Sequence, residues 1–259
     1  MPTTVILEVQ NHVASITLNR PDVMNAINTQ MARDLVDVCQ LIADDQDVWV
    51  VTLQAAGDRA FSVGADLKER EHMPVEQWRA QRVLGLRAYR ALAAVERPMI
   101  AAVDGYALGG GCELALACDF IIAGERAQFA LPEARVGIIP GGGGTQLLPR
   151  RVGPAMAKEL IFTGRRIDAT EALRIGLVNR VVPSQDLGTT VDAITGEILG
   201  VSPVSARQAK RAVDRGIGQD LWSGWALEEE AYVACLYSAD RLEGMAAFHE
   251  KRAPRFQNR

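Results

Sequence analysis

Val5–Val9 and Val13–Leu18 alternate apolar with other residues on either side of Gln10–Asn11, the period-two pattern of a strand pair. A polar loop, NRPDVMNAIN, follows. The apolar spacing then lengthens to three and four residues. Met31, Leu35, Val38, Leu41 and Ile42 share one face of a predicted helix, and Asn28 is placed to cap its start. Val48–Leu53 is a short apolar run that reads as a buried strand. The stretch GDRAFSVGADLKER is irregular, then turns polar and helical. Gln77–Val95 has helical spacing, Pro98 stops it, and Met99–Val103 returns to a strand pattern. Asp104–Gly111 reads as a loop feeding an apolar helix. Phe120–Ala123 is a strand, with Gln128–Ala130 a further candidate. Strand, loop and helix thus recur every forty to fifty residues or so, which predicts an α/β fold with helices packed on sheet.

After Gly141 the pattern becomes helical. Gly142–Leu148, Pro154–Thr163, Ala169–Ile175 (capped by Asp168), Asp186–Leu199, Pro203–Arg215, Leu221–Tyr237 and Asp240 to about Lys251 all show it. The C-terminal third is expected to be all helical. Apolar residues persist there on several faces: Trp222, Trp225, Leu227, Tyr232, Leu236, Met245 and Phe248. They suit subunit contacts or packing on the parent domain.

Composition narrows the function. The chain has 259 residues, 48% of them hydrophobic, and a formal net charge of -4. That supports a sizeable core and gives no general attraction to nucleic acid or anionic membranes. No apolar stretch is long enough to span a bilayer. Cys39, Cys112, Cys118 and Cys235 have no CxxC spacing and read as free thiols of a reducing cytosol. His12, His72 and His249 lie far apart, so no metal site is expected.

Three short stretches carry the candidate chemistry. In YALGGGCELALACD, Gly109–Gly111 sit where a loop feeds a helix, and Glu113 falls in the first turn of an apolar helix. The first N–H groups of a helix lack intrahelical partners, and glycine lets a ligand approach them closely. A tight turn with close helix–sheet packing is the alternative. In FSVGADLKE, Gly64 and Ala65 offer a second backbone donor, with a helix-start turn capped by Asp66 as the plain reading. Two N–H donors from separate loops can form an oxyanion hole. In FALPEARVGIIPGGGG, Glu133 lies among Phe129, Ala130, Leu131, Val136, Ile138 and Ile139, surroundings that raise a carboxyl pKa. A helix-start Glu paired with an arginine is the competing account. Other motifs fail. IIPGGGGTQ has no Gly-Lys-Ser/Thr, ALGGGCELA does not fit GxGxxG, and there is no GxSxG elbow around Ser62.

Together these motifs resemble the enoyl-CoA hydratase/isomerase (crotonase) superfamily. The ordered match runs from ITLNRPDVMNAIN through AFSVGADLKE, PMIAAVDGYALGGGCELALACDFIIAGERAQFALPEARVGIIPGGGGTQLLPRRVG and ELIFTGRRIDATEALRIGLVNRVVP to EGMAAFHEKRAPRF. The resemblance implies a spiral of ββα units over residues 1–195 and a helical trimerisation region over 196–259, the trimers often stacked in pairs. It implies an acyl-CoA thioester as substrate and no cofactor beyond it. The oxyanion hole would use the backbone N–H groups of Ala65 and Gly110. Hydratases of the family carry two glutamates, here Glu113 and Glu133, whereas many of its double-bond isomerases keep only the second. Hydration of a 2-enoyl-CoA in the cytoplasm is therefore expected, within fatty-acid or branched-chain amino-acid degradation. Δ3–Δ2 isomerisation is the alternative. Val63, Asp66, Leu67 and Lys68 fall on the segment that resembles the CoA-binding loop.

The chain departs from many relatives at Leu131, where Gln precedes the PE, and at Asp22, where Lys follows NRP. The branch it looks closest to is that of methylglutaconyl-CoA hydratases, one mammalian member of which also binds RNA. That property is not expected here. The arginines Arg79, Arg82, Arg87 and Arg90 read as a solvated helix face.

Overall fold

The computed structural model describes residues 4–259. The chain opens with the hairpin β1 (Val5–Gln10) and β2 (Val13–Leu18), whose register pairs Gln10 with Val13. Asn11 and His12 both have positive φ, so the two-residue turn follows the strand twist. α1 (Thr29–Asp44) begins where Asn28 Oδ1 accepts the Met31 N–H at 2.8 Å. Its inner stripe, Met31, Leu35, Val38 and Ile42, is buried.

A repeating path follows. β3 (Val50–Ala55) leads to the short β4 (Ala60–Ser62), then to α2 (Leu67–Arg70) and α3 (Val75–Ala93). β5 (Met99–Val103) leads to β6 (Tyr106–Leu108) and α4 (Gly110–Leu116), and β7 (Phe120–Gly124) to β8 (Gln128–Ala130). The first strand of each turn joins a six-stranded sheet and the second a four-stranded one. With the later strands β9 (Ile167–Asp168) and β10 (Arg180–Val182), the sheet orders are β1-β2-β3-β5-β7-β10 and β4-β6-β8-β9. Contacts between β2, β3, β5, β7 and β10 are parallel, and so are those between β4, β6 and β8. This is the expected spiral of ββα turns.

Several sequence readings need correction. β4 and β6 fall in stretches whose pattern predicts loops; each is three buried or half-buried residues near glycines, too short to show a period. β9 and β10 interrupt the region expected to be all helical. β3 starts at Val50 rather than Val48. α5 (Gly144–Val152) starts two residues later than expected and runs through Pro149. The helix starts later because Gly143, at φ +121°, lies outside the helical conformation.

The remaining helices are α6 (Pro154–Thr163), α7 (Ala169–Arg174), α8 (Leu187–Leu199), α9 (Pro203–Gly216), α10 (Leu221–Leu236) and α11 (Ala239–Glu250). α8 lies on the outer face of the large sheet, where Leu187, Val191 and Ile194 pack on Ile100, Ala102 and Ile122. Position 195 lies within this helix.

α9 is pinned to the core by a polar anchor. Lys210 Nζ lies 2.9 Å from an Asp119 carboxylate oxygen and donates to the Arg97 carbonyl at 3.1 Å. Asp119 Oδ2 also accepts the Met99 N–H at 2.7 Å. Lys210 is mostly shielded from solvent, so its loss leaves Asp119 under-paired. Lys210→Met is expected to lower stability by about 1–3 kcal/mol, a fall in Tm of about 3–8 °C in thermal unfolding.

Candidate active site

The site forms where two loops meet. Gly64 has φ +83° and Gly109 has φ +53°, backbone conformations that L side chains rarely adopt. A Cβ on Gly64 would lie 2.8 Å from Gly110 N and 2.8 Å from Leu108 O. A Cβ on Gly111 would collide with the Ser62 carbonyl. The segments 62–65 and 109–111 therefore touch backbone to backbone, and only glycine permits it. Ser62 is the bracket. Its Oγ donates to the Asn25 carbonyl at 2.8 Å and accepts the Gly64 N–H at 3.2 Å.

Ala65 is held next to this contact by a parallel bridge to Ile27. Ile27 N–H donates to Gly64 O at 2.8 Å and Asp66 N–H to Ile27 O at 3.0 Å. The Ala65 N–H between them has no protein acceptor among the described residues, and neither does the Gly110 N–H at the start of α4. Two free donors thus stand side by side, one reinforced by a helix start.

Glu113 rides on the first turn of α4 and is buried, with 3% of its surface exposed. Its Oε1 accepts from Gly142 N at 2.6 Å and Gly144 N at 2.8 Å. Its pKa is raised, chiefly by burial, with those two N–H groups and the Arg82 charge offsetting only part of the rise. Glu133 begins a single turn, Glu133–Val136, after Pro132. Its Oε1 would lie 3.0 Å from a Cβ on Gly109, and its Oε2 is buried with no hydrogen-bond partner. Burial first, and the Glu113 charge behind it, push the Glu133 carboxyl up to about 7. The arrangement offers one carboxyl group held by two loop N–H groups and a second with a buried oxygen left unpartnered, next to two unpartnered N–H groups.

The structure thus brings Ala65, Gly110, Glu113 and Glu133 together. The other four candidates on the segment 63–68 are spread out. Val63 N–H donates to Met24 O at 3.2 Å. Asp66 is occupied, accepting from Arg20 Nη1 at 2.9 Å and capping α2 through the Glu69 N–H at 3.3 Å. Leu67 and Lys68 are exposed.

Three contributors were missed in the sequence. The run Gly141–Gly144 was tested as a phosphate loop, but it supplies the donors to Glu113. Arg82 is exposed, as a solvated helix face requires, yet its guanidinium also lies against Gly141, where a Cβ would approach Nη2 to 2.7 Å. Tyr89 also reaches the site from α3.

Comparison with known proteins identifies the family. The family model for enoyl-CoA hydratase/isomerase matches residues 8–259. The chain belongs to that family. It is 44% identical over 248 residues to the short-chain-enoyl-CoA hydratase of Clostridium acetobutylicum, covering 96% of this chain and 95% of that one. It is 42% identical to the crotonyl-CoA hydratase of Syntrophomonas wolfei, covering 97% of each. The crystal structure of an enoyl-CoA hydratase from Bacillus anthracis superposes with a TM-score of 0.97 at 42% identity, covering 99% of this chain and 100% of that one.

The raised pKa of Glu133 has a consequence for stability. Below the ordinary carboxyl value the group is protonated whether the chain is folded or not. Above about 7 it is ionised in both states, and the folded state bears the cost of burying the charge. Glu133→Gln removes that cost. The Tm difference between variant and wild type should be near zero at acidic pH and rise to at least about 2 °C in favour of the variant at alkaline pH. Thermal unfolding across that range checks it.

Proposed function

We propose that the protein hydrates 2-enoyl-CoA thioesters, adding water across the C2–C3 double bond to give 3-hydroxyacyl-CoA. The observation that carries this reading is the pair Glu113 and Glu133 beside the free N–H groups of Ala65 and Gly110. The relatives named above as hydratases support it.

In this mechanism the thioester oxygen rests between the Ala65 and Gly110 N–H groups. As water adds at C3, electron density moves through C2 to that oxygen, and the two donors stabilise it. Such a donor is typically worth about 3 kcal/mol. Glu113 is the base. Its Oε1 is fixed by Gly142 and Gly144, which leaves the second oxygen to orient a water and take its proton. Glu133 is the acid. Its carboxyl, pushed up to about 7, carries a proton in a substantial share of molecules near neutrality, and that form delivers its proton to C2. The reaction requires the two carboxyl groups in opposite protonation states, and the backbone donors on Glu113 are what distinguish its environment from that of Glu133. Proton exchange between them, directly or through solvent, resets the pair. The chemistry calls for no cofactor beyond the CoA carried by the substrate.

The CoA moiety is assigned to the segment from Val63 to Lys68. Exposed Lys68 is the candidate phosphate contact, while the Asp66 side chain serves to hold Ala65 in place. The C-terminal helices from residue 196 onward are assigned to trimerisation. Trp222 (75% exposed), Phe248 (78%) and Tyr232 (65%) there leave apolar surface for a neighbouring subunit. No helix among the described residues is long and apolar enough to cross a membrane. Cys39, Cys112 and Cys118 are buried free thiols, all pushed up by burial, which suits a cytoplasmic protein.

Loss of the conjugated-thioester absorbance of crotonyl-CoA measures the reaction. Glu113→Gln and Glu133→Gln should each lower kcat by about 10²–10⁴-fold with smaller changes in KM. Full activity in the Glu113 variant, or double-bond migration without water uptake, would make the protein an isomerase instead.

A further inference from the structure

The Ala65 N–H serves as an aimed donor only if its peptide plane is held, and the residue before it, Gly64, is the one whose torsions could let that plane swing. Both polar groups of Gly64 are tied. Its N–H donates to Ser62 Oγ at 3.2 Å, and its carbonyl accepts the Ile27 N–H at 2.8 Å. These bonds fix Gly64 at φ +83°. In a planar trans peptide the N–H points opposite to the carbonyl. No peptide bond among the described residues is cis. With the Gly64 carbonyl turned to Ile27, the Ala65 N–H is turned the opposite way, where it meets no protein acceptor.

Both ties lead back to one side chain. Asn25 is 1% exposed and has φ +51°, in the left-handed region that few residues besides glycine adopt. Its Nδ2 donates to the Ala56 carbonyl at 2.9 Å and to the Ala60 carbonyl at 3.0 Å, and its Oδ1 accepts the Arg20 N–H at 2.8 Å. The side chain thus staples the loop 20–27 to both ends of the β3–β4 connection. The Asn25 carbonyl accepts the hydroxyl of fully buried Ser62, and that hydroxyl holds the Gly64 N–H. Two residues further on, Ile27 holds the Gly64 carbonyl. We infer that Asn25 is a positioning residue for the reaction. It acts through Ser62 and Ile27 to fix the Gly64–Ala65 peptide, and so the direction of the Ala65 donor. The expected effect on rate rests on the hydratase reading. A misdirected donor loses its effect on the transition state, while substrate binding, spread over the whole acyl-CoA, changes less.

The test uses Asn25→Gly, which removes the staple and still tolerates positive φ, and Ser62→Ala, which removes the hydroxyl alone. One readout is kcat and KM for crotonyl-CoA. The other is the infrared carbonyl stretch of bound butyryl-CoA, isotopically labelled at its thioester carbon. Hydrogen bonds to the carbonyl oxygen polarise it and lower that frequency, so wild type should lower it relative to the free ligand. Both variants should move the band back towards the free ligand. They should also lower kcat about tenfold or more, with a smaller change in KM. Lys210→Met is the control for stability alone. Lys210 is anchored on Asp119, past the C-terminal end of α4, and its loss should leave the band and kcat as in wild type. If Asn25→Gly does not fold, Ser62→Ala decides. A band that stays in place in a folded variant, or that Lys210→Met moves equally, would overturn the inference. So would an unchanged kcat in a folded variant. The band needs binding and not turnover. A wild type that lowers it but hydrates nothing would sink the hydratase reading and leave the positioning role standing.

Discussion

The contact on which the site depends is between two backbones. Segment 62–65 and segment 109–111 approach so closely that a Cβ on Gly64 or Gly111 would strike main-chain atoms of the other. This contact joins the first ββα turn to the second. It aligns the free N–H groups of Ala65 and Gly110, and it sets the start of α4, hence the direction of Glu113. The spiral makes it possible. β4 and β6 are neighbours in the small sheet, and each delivers its C-terminal end to the same place. The four-stranded sheet, modest in size, is the frame of the site, while the six-stranded sheet supplies the bulk of the core.

The second constraint is electrostatic. Two carboxyl groups lie near each other in a poorly solvated place, an arrangement that costs stability. The structure treats them differently. Glu113 has two backbone donors and a nearby guanidinium; Glu133 has a buried oxygen with no partner. Burial raises both carboxyls, but the donors and the guanidinium offset part of that at Glu113, while Glu133 keeps an unpartnered oxygen. The asymmetry comes from the Gly141–Gly144 run, whose Gly142 and Gly144 amides turn to Glu113 where α5 begins. Stability is given up at Glu133, and an acid near neutrality is gained.

What could be read in the sequence follows the same physics. Glu113 and Glu133 stood out because carboxylates among alanines, leucines and isoleucines need a reason to be there. Gly109–Gly111 and Gly64–Ala65 stood out because small residues at a loop-to-helix junction expose backbone donors, and the family resemblance singled out Ala65 and Gly110 among them. The long elements were legible from their apolar spacing, α1 and α3 among them, and the Asn28 and Asp168 caps from residue type. The strands β4, β6, β9 and β10 were hidden because two or three residues cannot display a period. The role of Gly142 and Gly144 was hidden because an amide has the same chemistry at every position, and only the folded path says where it points. Tyr89 resembled any aromatic on a half-buried helix until the fold placed it over Gly110.

The account stands or falls on the position of the thioester oxygen. A crystal structure with acetoacetyl-CoA, an unreactive substrate analogue, tests it most directly. The account predicts that oxygen within about 3 Å of both the Ala65 and Gly110 nitrogens, with C3 of the acyl group between the carboxyls of Glu113 and Glu133. An acyl group bound elsewhere, or a thioester oxygen turned away from either nitrogen, would contradict it.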